Sequence, residues 1–341
     1  MRSSIKKIVV FIFLTFFISA GGFAEIEKKE LIFPSGTLNS SHAPSIAVLP
    51  NGDLFTVWYA PTSESPNAVI WSSRKPAGLD KWTEPTIVQQ NPGLSDKNPV
   101  LYVGDNNRLW LFWAQEKRFY KWPIDTLCGK VSEDSGYTWS RVRKLDTPIG
   151  VIPRTHPIKL RTGRVLFPLY VSWNTSSAML ASEDDGYTWG KLRYMLYFFG
   201  IQPTIIQRTD SSLFALTRCG MWPRLAWQTV SYNDGRNWKE QVPSNINNPG
   251  SSLEMIKLKS GNVVLAFNDS KKDRTNLSLA LSYDDGRTWS HVKVVENDPG
   301  HFNCYPSLAQ DKNGLIHLVY SYDNRQNIAH FVTDEKSLAG L

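Results

Sequence analysis

The sequence predicts an all-β fold, a six-bladed β-propeller with four-stranded antiparallel blades. Two recurrences carry that expectation. A short Asp-Gly phrase returns about every fifty residues, and a longer strand–turn–strand phrase occurs six times. Repeats of this period match a propeller blade.

The short phrase reads Ser132-Glu-Asp-Ser-Gly-Tyr-Thr-Trp139, Ser182-Glu-Asp-Asp-Gly-Tyr-Thr-Trp189, Ser231-Tyr-Asn-Asp-Gly-Arg-Asn-Trp238 and Ser282-Tyr-Asp-Asp-Gly-Arg-Thr-Trp289, its starts 50, 49 and 51 residues apart. A looser copy runs from Trp71 to Trp82. Asp-Gly between strand-like runs is a hairpin turn: Gly accepts positive φ, and the Asp or Asn side chain accepts bonds from turn N–H groups. The Trp that follows is expected to wedge between blades, which explains five of the 13 Trp residues. One or two carboxylates per turn are too few for the roughly six to eight oxygens calcium needs. Neither a metal nor a cofactor is expected.

The long phrase begins at Pro44, Pro99, Pro157, Pro203, Leu253 and Pro306, each start opening an apolar strand, a turn and a second strand. These pairs are expected to be the two inner strands of blades at about 40–92, 93–147, 148–197, 198–244, 245–297 and 298–334. Blade six lacks an evident fourth strand. Residues 26–36 could supply it, closing the ring and removing an exposed edge.

Residues 1–24 resemble a secretory signal peptide. Arg2, Lys6 and Lys7 precede a 13-residue apolar run, Ile8 to Ala20, and Gly22-Phe23-Ala24 offers a cleavage site. The run is short for a membrane span, although an uncleaved anchor is the alternative. Residues 25–341 are then one domain, exported to the periplasm or beyond. The whole chain carries 38 basic and 31 acidic residues, and without residues 1–24 there are 35 and 31. That mild excess, with no basic run, argues against a nucleic-acid partner. A monomer is expected. Of Cys128, Cys219 and Cys304, the pair to test for a bridge is Cys219–Cys304. Three buried thiols are the plainer expectation.

In a propeller, the starts of inner strands and the ends of second strands share one face, around a central funnel. The Asp-Gly turns lie on the opposite face. The funnel should therefore gather His42, Asn98, His156, Gln202, Ser252 with Glu254, and Tyr305, joined by Gln115, Arg218, Asn268 and Asp269. The loop after blade one's second strand adds Glu64 and Asn67. An Arg, a carboxylate, a Tyr and two His converging on one funnel point to an active site.

The Asp-Gly phrase is similar to the Asp box, or BNR repeat. With the six-fold plan, nearly all of the chain past the leader resembles the sialidase (neuraminidase) superfamily, nearest to its bacterial and plant sialidase-like group. The resemblance implies an exo-glycosidase removing a terminal acidic sugar from glycans. It would use a Tyr nucleophile assisted by Glu, an Asp acid/base and three Arg on the sugar carboxylate. Tyr305 and Arg218 match the family's positions. Gln202 stands where the family has Glu, His42 where it has Arg, and Asn67 near its Asp. Ser252 and Glu254 stand where a third Arg is expected. On this reading Tyr305 attacks, Glu254 serves as its base from the adjacent blade, and Glu64 or His156 donates the proton. Arg218 holds the carboxylate, with His42, Asn98, Gln202 and Asn268 as further substrate contacts. Two alternatives stay open: a glycan-binding propeller without catalysis, and a uronic-acid polysaccharide lyase with His156 and Tyr305 as base and acid.

Overall fold

The computed structural model describes residues 27–61, 67–119, 122–196 and 200–340. These form six antiparallel sheets arranged as blades. Blade one comprises His42–Val48, Leu54–Ala60, Val69–Lys75 and Thr86–Gln89, and the other blades repeat the order at the expected intervals, with the inner strand of blade three split into Val151–Pro153 and Ile158–Lys159. In blade six, Cys304–Gln310, Ile316–Tyr322 and Asn327–Thr333 are completed by the N-terminal strand Lys28–Leu31, paired antiparallel with Lys28 opposite Val332. The strand predicted within 26–36 therefore closes the ring, joining the two ends of the chain through backbone hydrogen bonds.

The Asp-Gly turns are built as the sequence implies. Asp134 Oδ1 accepts from Thr138 N at 2.8 Å, and Ser132 Oγ accepts from Gly136 N at 2.7 Å. Asp184, Asn233 and Asp284 repeat the pattern. Trp139, Trp189, Trp238 and Trp289 pack against apolar clusters, among them one shared by strands of blades two and three. The core is a ring of inter-blade seams.

The inner strands carry the feature that makes the funnel. In blades one, two, four and six the residue before the proline has positive φ: Ala43 (50°), Asn98 (49°), Gln202 (53°) and Tyr305 (58°). The inner-strand register shifts across each. Such bulges redirect a side chain, and left-handed backbone at Tyr or Gln carries strain that marks functional positions.

Two residues deeper, a layer latches blade one to two, four to five, five to six and six to one. Leu101 N donates to Ser45 Oγ at 3.0 Å, Met255 N to Thr204 Oγ1 at 2.9 Å, Leu308 N to Glu254 Oε2 at 2.7 Å and Ile46 N to Ser307 Oγ at 3.2 Å. Counting from Val48 opposite Leu54 and Lys159 opposite Val165, His156 stands level with Ser45, and Arg154 level with Ala43. The same count puts Glu254 in the deeper layer and Ser252 in the mouth layer.

Cys128, Cys219 and Cys304 are buried free thiols, so Cys219 and Cys304 are not bridged. No helix among the described residues is long and apolar enough to cross a membrane. Residues 1–24, read above as a leader, lie outside the described residues.

Candidate active site

Tyr305 stands at the centre of the funnel, 9% exposed. Its hydroxyl oxygen accepts from Arg218 Nη1 at 2.9 Å, and the same nitrogen donates to Gln202 Oε1 at 3.2 Å. Three guanidinium carbons lie near its ring centroid: Arg154 at 5.1 Å, Arg274 at 5.7 Å and Arg218 at 6.0 Å. Burial pushes the phenol pKa up. The charges of Arg218 and Arg274 and a hydrogen bond with Gln202 outweigh it and hold the group below the ordinary tyrosine value.

The other walls are aromatic and neutral. The His42 ring lies 4.1 Å from that of Tyr305, and its Nδ1 is 2.8 Å from Ser321 Oγ. Burial, then the charges of Arg325, Arg154, Arg274 and Arg218, drive His42 well below the ordinary histidine value. His42 is therefore an uncharged wall. Asn98 Nδ2 donates to Tyr170 Oη at 3.4 Å, and Tyr170 also hydrogen-bonds Gln202. Burial pushes the phenols of Tyr170 and Tyr59 above the ordinary value, so the phenol pKa that falls in this group is that of Tyr305.

The arginines divide by role. Arg154 is 2% exposed, and its donors go to Ser252 Oγ (3.0 Å), the Pro44 carbonyl (3.1 Å) and the Pro306 carbonyl (2.8 Å). It spans blades three, five, one and six as the floor of the funnel. Arg218 and Arg274 are half-buried and can meet an anion from above. Arg274 is steadied by Nη2 on the Gly250 carbonyl at 2.7 Å. Charge expected at the start of blade five thus comes from the loop after that blade's second strand.

The structure moves three expected residues away from Tyr305. Glu254 spends both oxygens elsewhere: Oε1 takes His156 Nδ1 at 2.9 Å and His156 N at 3.2 Å, and Oε2 takes Leu308 N. His156 Nε2 lies 2.9 Å from Ser45 Oγ. Both belong to the deeper layer and line a cavity of about 600 Å³ that opens at the opposite mouth of the axial channel. The reason is register. Pro157 sits two residues further along its strand than the other blades' prolines, so reading from the proline selects His156 where Arg154 holds the mouth. Asn268 is fully buried, its Nδ2 bonded to the carbonyls of Arg274 (3.3 Å), Asn276 (2.5 Å) and Asn303 (2.8 Å). It braces the segments bearing Arg274 and Tyr305 and does not face the funnel's contents. Glu64 lies outside the described residues. Sequence reasoning missed Arg154, Arg274, Arg325, Tyr59 and Tyr170. Counting register back from the strand-two pairing would have found Arg154, and the second-strand ends mark Tyr170 and Tyr59.

A family model described as a BNR repeat-like domain matches residues 52–318. The chain belongs to the BNR repeat-like family. This BNR propeller is similar to a protein of unknown function from Dyadobacter fermentans, with a TM-score of 0.78 and 16% identity over 91% of this chain and 98% of that one. The NanB sialidase of Streptococcus pneumoniae gives 0.75 and 13% over 90% and 71%. The Ruminococcus gnavus intramolecular trans-sialidase, solved with oseltamivir carboxylate, gives 0.73 and 16% over 90% and 97%. An α-L-arabinanase from Penicillium chrysogenum gives 0.63 and 14%. No curated protein matches the chain. The fold is thus that of the sialidase-like propeller superfamily, and at these identities the likeness speaks for the fold alone.

Proposed function

We propose that this BNR propeller is an exported exo-glycosidase that removes a terminal acidic sugar, sialic acid or a relative, with Tyr305 as nucleophile. The observation that carries the reading is Arg218 Nη1 on Tyr305 Oη at 2.9 Å, beside Arg274 and with Gln202 where a base would stand. An amide takes no proton. The phenol is activated by two cations that stabilise its anion, in place of a carboxylate that abstracts its proton. The phenol first loses its proton to solvent water, and the phenolate oxygen held by Arg218 attacks the anomeric carbon while the glycosidic bond breaks. Glu64 is the proposed proton donor to the leaving oxygen, and water then releases the sugar from Tyr305. Arg218 and Arg274 hold the sugar carboxylate, which charge-assisted bonds favour.

The test is release from fluorogenic aryl sialosides and aryl uronides by residues 25–341, with Tyr305→Phe and Arg218→Ala as controls. Release abolished in both variants supports the reading. No release from any acidic glycoside removes it. One observation favours a second reading: Gln202 in place of a base suits a propeller that binds an acidic glycan without turning it over. Binding without turnover in the same experiment would establish that reading.

A further inference from the structure

The funnel rim carries large aromatic side chains that the fold leaves in solvent. Trp222 is 86% exposed, Trp173 66% and Phe302 46%. All three stand on the funnel face. Trp222 follows Arg218 by four residues, Trp173 lies just past the second strand of blade three, Val165–Val171, and Phe302 comes three residues before Tyr305. Trp58 and Trp113, by contrast, are fully buried.

These rings stand on fixed bases. In the loop 219–224, Arg224 N donates to the Met221 carbonyl at 2.8 Å, and the Arg224 carbonyl accepts from Asn248 N at 2.9 Å. Arg224 Nη1 reaches the Pro249 carbonyl at 3.2 Å. Gly220 packs so tightly on Gly250 that a Cβ on Gly250 would lie 3.0 Å from the Gly220 Cα. The Trp173 ring lies against Gly150, where a Cβ would come within 2.7 Å of Cδ1. A loop pinned this firmly, presenting a tryptophan outward, keeps a flat apolar face at the rim with no backbone left to order.

We infer that Trp222 and Trp173 form a platform for the sugars that follow the acidic residue, so that the ligand is an acidic oligosaccharide of three or more sugars. The inference rests on the acidic-sugar reading of Arg218 and Arg274. A pyranose presents C–H groups on one face and hydroxyls around its edge. An indole face matches the first, and solvent at the rim satisfies the second. The end sugar, held by its carboxylate at Arg218, directs the next residues outward past Trp222.

The experiment uses calorimetry and tryptophan fluorescence on the Tyr305→Phe background, where nothing is consumed. The probes are 3′-sialyllactose and trigalacturonate, the methyl glycosides of their acidic end sugars, and neutral maltotriose. The expected result is that one acidic trisaccharide binds about tenfold tighter than its methyl glycoside. Trp222→Ala should bring that ratio near one, Trp173→Ala should lower it, and Trp222→Phe should keep part of it. Methyl glycoside affinity should stay unchanged in all three. At 86% exposure the Trp222 ring supports no core, and unchanged thermal unfolding checks this. A ratio unaltered in both alanine variants, or near one in the parent, overturns the platform. Trp222-dependent binding of maltotriose with no effect of Arg218→Ala overturns the acidic-sugar reading and leaves an aromatic platform for neutral glycan. No binding of any probe overturns both.

Discussion

Arg218 Nη1 donates to Tyr305 Oη at 2.9 Å, from the end of blade four's second strand to the bulge that opens blade six. The contact ties the state of the phenol to a permanent cation. Arginine stays charged across the working pH range, so the phenol feels this field continuously. The bulge matters as much as the charge, because a regular strand at Tyr305 would turn the ring into a blade seam.

Removing that cation should be visible as a titration. Arg218→Ala leaves burial pushing the phenol up with Arg274 as the main opposing charge, so the Tyr305 pKa moves to higher pH. Ultraviolet difference spectra should show the lowest-titrating tyrosine shift upward, and any alkaline rise in kcat/KM should shift with it. An unchanged lowest titration in Arg218→Ala would place the perturbed phenol elsewhere.

Tyr305→Phe deletes one oxygen and keeps the ring that packs on His42. Turnover of an aryl sialoside should fall by about a thousandfold or more, with affinity for an unreactive analogue held within about threefold. Loss of binding and turnover together would make the hydroxyl a ligand-holding group.

Gln202→Glu places a carboxylate 3.2 Å from Arg218, beside Tyr305. A glycosidase that works without a base should gain from one, with kcat rising about tenfold and its acid limb moving to lower pH as the new base ionises. A pure binder gains no turnover and loses affinity for anionic sugars, since the new carboxylate neutralises the clamp. The two outcomes separate the readings through one atom-for-atom change.

The six-fold plan was legible because it depends on features that repeat: the Asp-Gly turns fix hairpins, and the apolar inner strands recur between them. Tyr305, Arg218, Gln202, His42 and Asn98 were legible because their blades share one bulge-proline phrase. Arg154 was hidden because blade three breaks its inner strand into Val151–Pro153 and Ile158–Lys159, shifts register by two residues between them, and moves its proline two residues along. Arg274 was hidden for another reason. It reaches the funnel from a loop, and its placement depends on Asn268 gripping the carbonyls of residues 274, 276 and 303. That is a tertiary contact with no periodic signature.

Asp125 offers a stability test independent of catalysis. Burial, with Glu116 across the strand pair, pushes its carboxyl up to about 6 against the partial relief of Lys97 and Ser172. The folded state therefore holds this proton more tightly than the unfolded chain, whose value is about 3.9. Stability falls as pH rises from about 4 to about 6, and the penalty is complete above that. Asp125→Asn should match the parent near pH 4 and exceed it near pH 7.5 by roughly 3 kcal/mol. Thermal unfolding at the two pH values reads the difference. A variant less stable at both would mean that the charged form is held by bonds that offset its burial.

Arg154 separates the floor of the funnel from its clamp. Its five donors sit in a fixed fork, and three of them bond to Ser252, Pro44 and Pro306 on three other blades. Arg154→Met keeps an apolar stem of similar length and leaves both proline carbonyls buried without this donor. Unmet buried acceptors cost about 1–3 kcal/mol each. The expected fall in Tm is about 5–10 °C. Arg154→Lys should recover only part, because one ammonium cannot span three acceptors set around the fork. If Arg154 instead served mainly to grip a sugar carboxylate, Arg154→Met would unfold near the parent temperature and lose affinity for acidic glycans. Arg274→Met should behave in that second way, since its guanidinium is half-buried and has one backbone carbonyl to release. The pair of variants therefore assigns each cation to structure or to ligand by which measurement moves.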